Sequence, residues 1–268
     1  MWGTFATIVV TERIFNYTVN TAPATGFKLI EILFLCLIAS MATSALVAIT
    51  VEFLAYRRLR ARGVNRLATL ISAIGMSIAL SEMMRILTNS RPANAPRVLE
   101  KKVLFEFLGA QVRIDNVLVI FAAAIIFTIL ERFIKLSRMG KAIRAVSMSE
   151  ETSKLMGVNL NRVITITFAI GGLATGAAAF FYTTVYEITK FDVGFTMGIA
   201  AFTAAVLGGI GNIRGAMAGG IALGLLETYA AAVLGTQWKA LTVFIVLILV
   251  LLFRPTGLFG EAIQQARA

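Results

Sequence analysis

Residues 147–157, "SMSEETSKLMG", group polar side chains at spacings that matter, in a chain otherwise made of apolar runs. Ser147 stands three residues before Glu150, the spacing of a capping box, in which each side chain satisfies a backbone donor at a helix start. Glu150 and Glu151 fall in the first turn, where the helix dipole favours negative charge, and Lys154 falls near the end. Glu150 and Lys154 are also an i,i+4 pair in the favourable order. Gly157 suits the left-handed conformation that closes a helix. A short helix over 147–157, carrying Thr152 in its middle, is therefore expected. Such a helix is too short to be stable alone in water. Val146, Leu155, Met156, Val158 and Leu160 are the apolar handles that would hold it. Two readings stay open: a surface helix resting on its own chain, or a docking element for a partner. Either way the chemistry is recognition, not bond making.

Groups for covalent chemistry are sparse. The chain has no histidine, which removes the commonest general base, metal ligand and pH switch. Its single cysteine, Cys36, lies inside an apolar run, so it offers no disulfide framework and reads as a small core residue. "GGLATG" (171–176) lacks the Lys and Ser/Thr of a phosphate-binding loop, and no such loop occurs elsewhere. A membrane-embedded enzyme would need a His, Asp or Cys cluster. No catalytic residue, metal or cofactor is expected. Glu227 is the one acid deep in a late apolar run, a functional candidate by default, with a structural hydrogen bond as the equal alternative. Glu82 and Arg85 lie one turn apart and most simply neutralise each other.

These residues are carried by elements suited to lipid. Of 268 residues, 58% are hydrophobic and 15% charged, where a soluble domain has nearer a quarter charged. The mean hydropathy is +0.84. A membrane-crossing helix needs about 20 apolar residues, and the runs 29–56, 67–88, 117–136, 163–186, 195–211, 215–234 and 238–253 approach or exceed that. The N-terminal "MWGTFATIVVTERIF" offers about half a span and, without a basic n-region, is not a signal peptide. The expected fold is an all-α, polytopic transmembrane bundle of about seven segments plus this half-span. One domain over 1–260 and a short cytoplasmic tail, 261–268, are expected. Trp238 and Lys239 read as interfacial anchors, and Pro255 as the residue that closes the last helix.

The formal charge of +11 is distributed for a membrane rather than for nucleic acid. Segment 57–66 holds five arginines and no acid, and 132–162 holds seven basic residues against Glu150 and Glu151. By the positive-inside rule both face the cytoplasm, and the parity of the runs then puts 89–116 outside. Residues 195–211 either cross fully or dip in and return. Gly172 with Gly176, the row Gly211, Gly215, Gly219, and Gly220 with Gly224 have the small-residue spacing that lets membrane helices approach closely. Packing alone accounts for such rows. The alternative makes the helix break 208–215 part of a substrate route, with Thr203, Gly208, Gly209, Gly211, Asn212 and Glu227 as its candidate residues.

The passages "SRMGKAIRAVSMSEETSKLMGVNLNRVITITFAIGG", "FTAAVLGGIGNIRGAMAGGIALGLLE" and "ILVLLFRPTGLFG", with "LISAIGMSIALSE", closely resemble the permease subunits of bacterial branched-chain amino-acid ABC importers, of the H-subunit type. The resemblance runs in order through residues 45–260. It implies a multi-pass permease of the bacterial cytoplasmic membrane that moves branched-chain amino acids. The implied partners are a second permease subunit, cytoplasmic ATP-binding subunits, a periplasmic or lipoprotein amino-acid-binding protein and membrane lipid, and no nucleic acid. It also implies that the loop 137–162 carries a coupling helix seated on the ATPase, with Ser147, Glu150, Glu151, Thr152, Lys154, Leu155, Met156 and Gly157 at the contact. Alternatives are a permease for another small polar solute (another amino acid, urea or a sugar) and a secondary carrier, which would need mid-span ion-coupling groups beyond Glu227. Members of the family begin with a complete first span and a second opening with an "INFAHGE"-like sequence. The present sequence starts after that point, which implies either a start codon assigned too far downstream or a truncated form.

Overall fold

Each apolar run of the sequence folds as a helix. The computed structural model describes residues 1–17, 27–62, 66–99, 102–107, 110–254 and 256–260. In chain order these form α1 (Trp2–Arg13), α2 (Phe27–Val51), a π-helical turn (Glu52–Tyr56), α3 (Arg57–Ala61) and α4 (Arg66–Leu87). The strands β1 (Ala93–Asn94), β2 (Val103–Phe107) and β3 (Ala110–Arg113) lead into α5 (Ile114–Leu136). Then come α6 (Arg138–Met148), α7 (Glu150–Leu155), α8 (Leu160–Tyr186) and β4 (Ile188–Thr189). The chain continues through α9 (Val193–Gly208), α10 (Ile213–Leu234), a 3-10 turn (Thr236–Trp238) and α11 (Lys239–Phe253). Pro255 and the tail 261–268 lie outside the described residues.

The seven expected segments correspond to α2, α4, α5, α8, α9, α10 and α11, and the half-span to α1. Among the described residues, five helical stretches are long and apolar enough to cross a membrane: Phe27–Arg60, Ile114–Leu136, Leu160–Tyr186, Ile213–Leu234 and Thr236–Phe253. The 16-residue α9 is shorter, spanning about 24 Å against a hydrocarbon thickness of about 30 Å. The chain is thus an all-α, polytopic transmembrane protein. Its sheet structure among the described residues is two antiparallel ladders, β1 with β4 and β2 with β3. The unforeseen β1–β4 pair joins 93–94 to the end of α8, in the register Ala93↔Thr189 and Asn94↔Ile188.

Two units make up the chain, Met1–Asp192 and Val193 onward. In the first, α2 and α8 pack backbone to backbone. A Cβ added at Gly176 would meet the Met41 Cα at 2.5 Å, and one at Gly172 would meet the Ala45 Cα at 2.7 Å. The Ser40 hydroxyl donates to the Gly176 carbonyl at 2.7 Å, so the close approach also satisfies a buried polar group. The packing reading of Gly172 and Gly176 is the one the structure bears out. Helix α1 lies against α2 and α8 through Gly3, Thr4, Thr7, Ile8 and Thr11, all buried. This face is polar in sequence, yet Thr7 donates to the Gly3 carbonyl and Thr11 to the Thr7 carbonyl. Hydroxyls returned to their own helix let threonine pack as a small apolar residue.

In the second unit α9, α10 and α11 share a core of Leu207, Leu223 and Val243. The turn 209–212 joins α9 to α10, with Gly209 at φ +104° and Gly211 at φ +96°, conformations that side-chain-bearing residues rarely adopt. Residues after α11 fold back onto this turn. Leu258 N–H donates to the Leu207 carbonyl at 2.8 Å, and Phe259 N–H to the Gly208 carbonyl at 3.2 Å. The helix break therefore sits at the end of a hairpin, beside the C-terminal end of α11.

Candidate functional site

The loop 137–162 is a chain of short elements with nearly every end specified. Ser137 caps α6, its side chain accepting from Gly140 N–H at 2.9 Å. Ser149, with extended backbone, caps α7 by accepting from Thr152 N–H at 3.2 Å. At the far end Gly157 takes φ +80°. Gly157 N–H donates to the Lys154 carbonyl and Val158 N–H to the Ser153 carbonyl, both at 3.0 Å. That crossed pair is a Schellman closure, which satisfies carbonyls the helix end would leave open. Asn159 then caps α8, accepting from Arg162 N–H at 3.1 Å.

The expected capping box at Ser147 and Glu150 is corrected by this geometry. Ser147 lies in the last turn of α6 and donates to the Arg144 carbonyl at 2.7 Å. The chain breaks at Ser149, so the expected single helix over 147–157 is two helices meeting there. Two serines stand two residues apart, and the cap belongs to the one whose backbone has left the helix. Glu150 and Glu151 do stand in the first turn of α7 and Lys154 in its last. No ion pair between Glu150 and Lys154 forms among the described residues.

The apolar handles divide into two sets. Leu160 is buried and Val146 and Val158 are half-buried, and with Ser153 at 5% exposure they seat α7 on its own chain. Leu155 is 88% exposed and Met156 80%, with Met148 at 89% in the same loop. A helix serving only as a connector would turn its large residues inward. Here they face out, on a segment held by four caps.

Beneath the loop is a cluster that the residue pattern had not singled out. Glu52, in the π-helical turn after α2, is fully buried. Its carboxylate accepts from the Arg60 guanidinium at 3.1 Å and from the Thr165 hydroxyl at 3.0 Å. The same guanidinium donates to Asn161 Oδ1 at 3.0 Å. Tyr56, at the end of the turn, packs against Phe168 with tilted rings whose centroids are 5.1 Å apart. The signal is in the sequence: an acid within a long apolar run is a functional candidate, and Glu52 stands within the run 29–56 as Glu227 stands within 215–234.

The route candidates are partly together. Gly208, Gly209, Gly211 and Asn212 build the α9–α10 turn. There Asn212 accepts from Gly215 N–H at 3.1 Å and donates to the Phe259 carbonyl at 3.0 Å. Thr203 is fully buried one to two turns along α9 and donates to the Ile199 carbonyl at 2.9 Å. Glu227 is apart, half-buried on α10, about 22 Å along the helix from Asn212. Glu82 and Arg85 pair at 2.6 Å, as expected. Among the described residues no group of acids, histidines or cysteines is arranged to hold a metal ion.

Comparison with known proteins agrees in one direction. The model of the family described as "Branched-chain amino acid transport system / permease component" matches residues 1–252. The high-affinity branched-chain amino acid transport system permease protein BraD of Pseudomonas aeruginosa is 40% identical over 226 residues, 83% of this chain and 73% of that protein. The corresponding protein LivH of Escherichia coli is 38% identical over 215 residues, 79% of this chain and 69% of that protein. A more distant match is the ribose import permease protein RbsC of Escherichia coli, 24% identical over 169 residues, 61% of this chain and 52% of that protein. No solved structure matches.

Proposed function

The chain belongs to the family of permease components of branched-chain amino acid transport systems, and from that premise we propose that it is the membrane-spanning subunit of an ATP-driven importer of branched-chain amino acids. It is a multi-pass inner membrane protein. Residues 1–260 act as one permease domain and catalyse no covalent step. The solute arrives on an external binding protein, crosses a pathway shared with a second permease subunit, and is released inside. ATP-binding subunits outside the membrane drive the cycle.

The observation that carries this reading is the outward face of the capped loop. A partner groove would gain most from Leu155 and Met156, whose side chains are now in water. The caps keep the loop from absorbing motion as flexibility, so displacement of α7 passes into α8. Segments 57–66 and 132–162 then face the cytoplasm and 89–116 faces out, in keeping with the charge distribution.

Reconstitution tests the proposal. The chain with its neighbouring permease, ATPase subunits and binding protein in proteoliposomes should import leucine, isoleucine or valine only with internal ATP and binding protein present. Uptake driven by an ion gradient without ATP would instead make it a secondary carrier. The likeness to a ribose import permease favours one second reading, a permease for another small polar solute. A ligand screen on the cognate binding protein separates the two.

A further inference from the structure

The fully buried Glu52 carboxylate is bound to α8 twice, directly through Thr165 and indirectly through Arg60 and Asn161. Asn161 and Thr165 lie within the first six residues of α8, immediately after the loop that carries Leu155 and Met156. On the other side Glu52 opens the π-helical turn that continues α2. A single π-turn in a long helix marks a local change of register and is frequent at functional sites.

From this juxtaposition we infer that Glu52 is a positioning residue for coupling, the junction through which displacement of the α6–α7 loop is passed to α2 as well as to α8. The inference rests on the permease reading above. Helix α2 is suited to carry such a displacement. Ile32, Cys36, Ser40 and Ala45 are buried along it, and it packs against α8 through glycine contacts that leave no room for a Cβ. From Ile32 to Glu52 it is a rod of about 30 Å. At the far end Ile32 and Cys36 line a cavity of about 20 Å³ with Thr11, Thr183 and Glu187. Movement at the Glu52 end therefore reaches the opposite end of the span. The linking groups also have the character of a switchable contact. Arg60 holds Glu52 and Asn161 simultaneously and remains 23% exposed, so the pair has access to water on one side only. The ion pair itself lies within the one helical stretch Phe27–Arg60, so the bonds that change when α8 shifts against it are those of Thr165 and Asn161, and losing them leaves a buried carboxylate less well satisfied.

The test uses the complete importer in proteoliposomes, with three readouts: ATPase subunit recovered with the permease, ATP hydrolysed with and without liganded binding protein, and solute imported per ATP. Glu52→Gln keeps the shape and the bond from Thr165 but removes the charge. It should retain ATPase association while solute imported per ATP falls about tenfold, within the range usual for coupling between two sites. Arg60→Gln should do the same, and the double variant should be no worse than either single one, because the two act as a unit. Arg60→Lys, which keeps the charge, should restore part of the ratio. Asn161→Ala cuts only an exposed link and carries the same comparison should a Glu52 or Arg60 variant fail to assemble. It should lower imported solute per ATP with association intact. The inference is overturned if Asn161→Ala and Glu52→Gln leave that ratio unchanged, or if ATPase association and imported solute fall together. A wild-type importer that recruits no ATPase subunit would overturn the permease reading itself, whatever the variants do.

Discussion

Replacing both Leu155 and Met156 with serine should separate docking from folding. In the isolated chain the two side chains are 88% and 80% exposed, so almost their whole apolar surface remains to be buried by a partner. Burying one such side chain contributes about 1.5–3 kcal/mol, which makes about 3–6 kcal/mol for the pair. Fixing two flexible side chains offsets about 1–3 kcal/mol of this. A net loss of about 2–3 kcal/mol corresponds to a roughly 30- to 140-fold weaker complex at 1.4 kcal/mol per decade. The fold should hardly notice, because both side chains are exposed and the bonds that close α7 beside them are made by backbone groups. The assay titrates purified ATPase subunits against the detergent-solubilised permease, wild type and double variant, with thermal unfolding measured in parallel. The expected result is weak association at an unchanged unfolding temperature. Full association together with full uptake would refute the coupling role of α7. An unfolding temperature lowered by many degrees would mean that these residues support their own chain, contrary to their exposure.

For topology, cysteines placed at the exposed Arg62 and Asn94 in a Cys36→Ser background should react with impermeant reagents from opposite sides of the membrane, and reaction of both from outside would reverse the assignment of 57–66. Between the two serines, Ser149→Ala should destabilise α7 by about 1 kcal/mol, whereas Ser147→Ala should change little; hydrogen exchange at Thr152 N–H reads the difference. At the α2–α8 contact, Gly176→Val should cost at least about 1–3 kcal/mol through overpacking and lower the yield of folded protein in detergent, while Gly171→Ala, with open space around it, should be tolerated. Gly157→Val forces a β-branched residue into a left-handed turn, so ATPase recovery should survive better than uptake, as vesicle transport beside co-purification would show.

The helices were legible because their signal is length. An apolar run of about 20 residues has few alternatives to a span in lipid, and each run from 29–56 to 238–253 became a helix. What the runs did not carry was detail set by tertiary contact. The threonine face of α1 has no apolar rhythm, yet it is buried because each hydroxyl returns to its own helix. The β1–β4 pair joins residues about 95 positions apart, a match that two-residue strands cannot announce locally. The glycine rows were legible as packing in principle, but only partners distinguish them. Gly176 meets Met41 closely, whereas the space around Gly224 is open.

The loop was legible in kind and displaced in register. Its polar residues were read as the ends of a helix, and that is their role, but Ser147 and Ser149 carry the same side chain and only backbone conformation decides which one caps. The consequence reaches past bookkeeping of termini. With the break at 149, α6 becomes a separate eleven-residue helix tied by Ser137 to the end of α5, and α7 becomes a six-residue piece joined to α8 through Gly157 and Asn159. Any force on Leu155 then has two short, capped routes into the membrane helices, one through α6 to α5 and one through Asn159 to α8. The second passes the Glu52 cluster within two turns. A loop with these residues in flexible segments would dissipate the same force. On the coupling proposal the caps and the buried carboxylate serve one end: these polar groups are engaged with backbone or with each other, and the apolar groups left in water are the ones a partner would move.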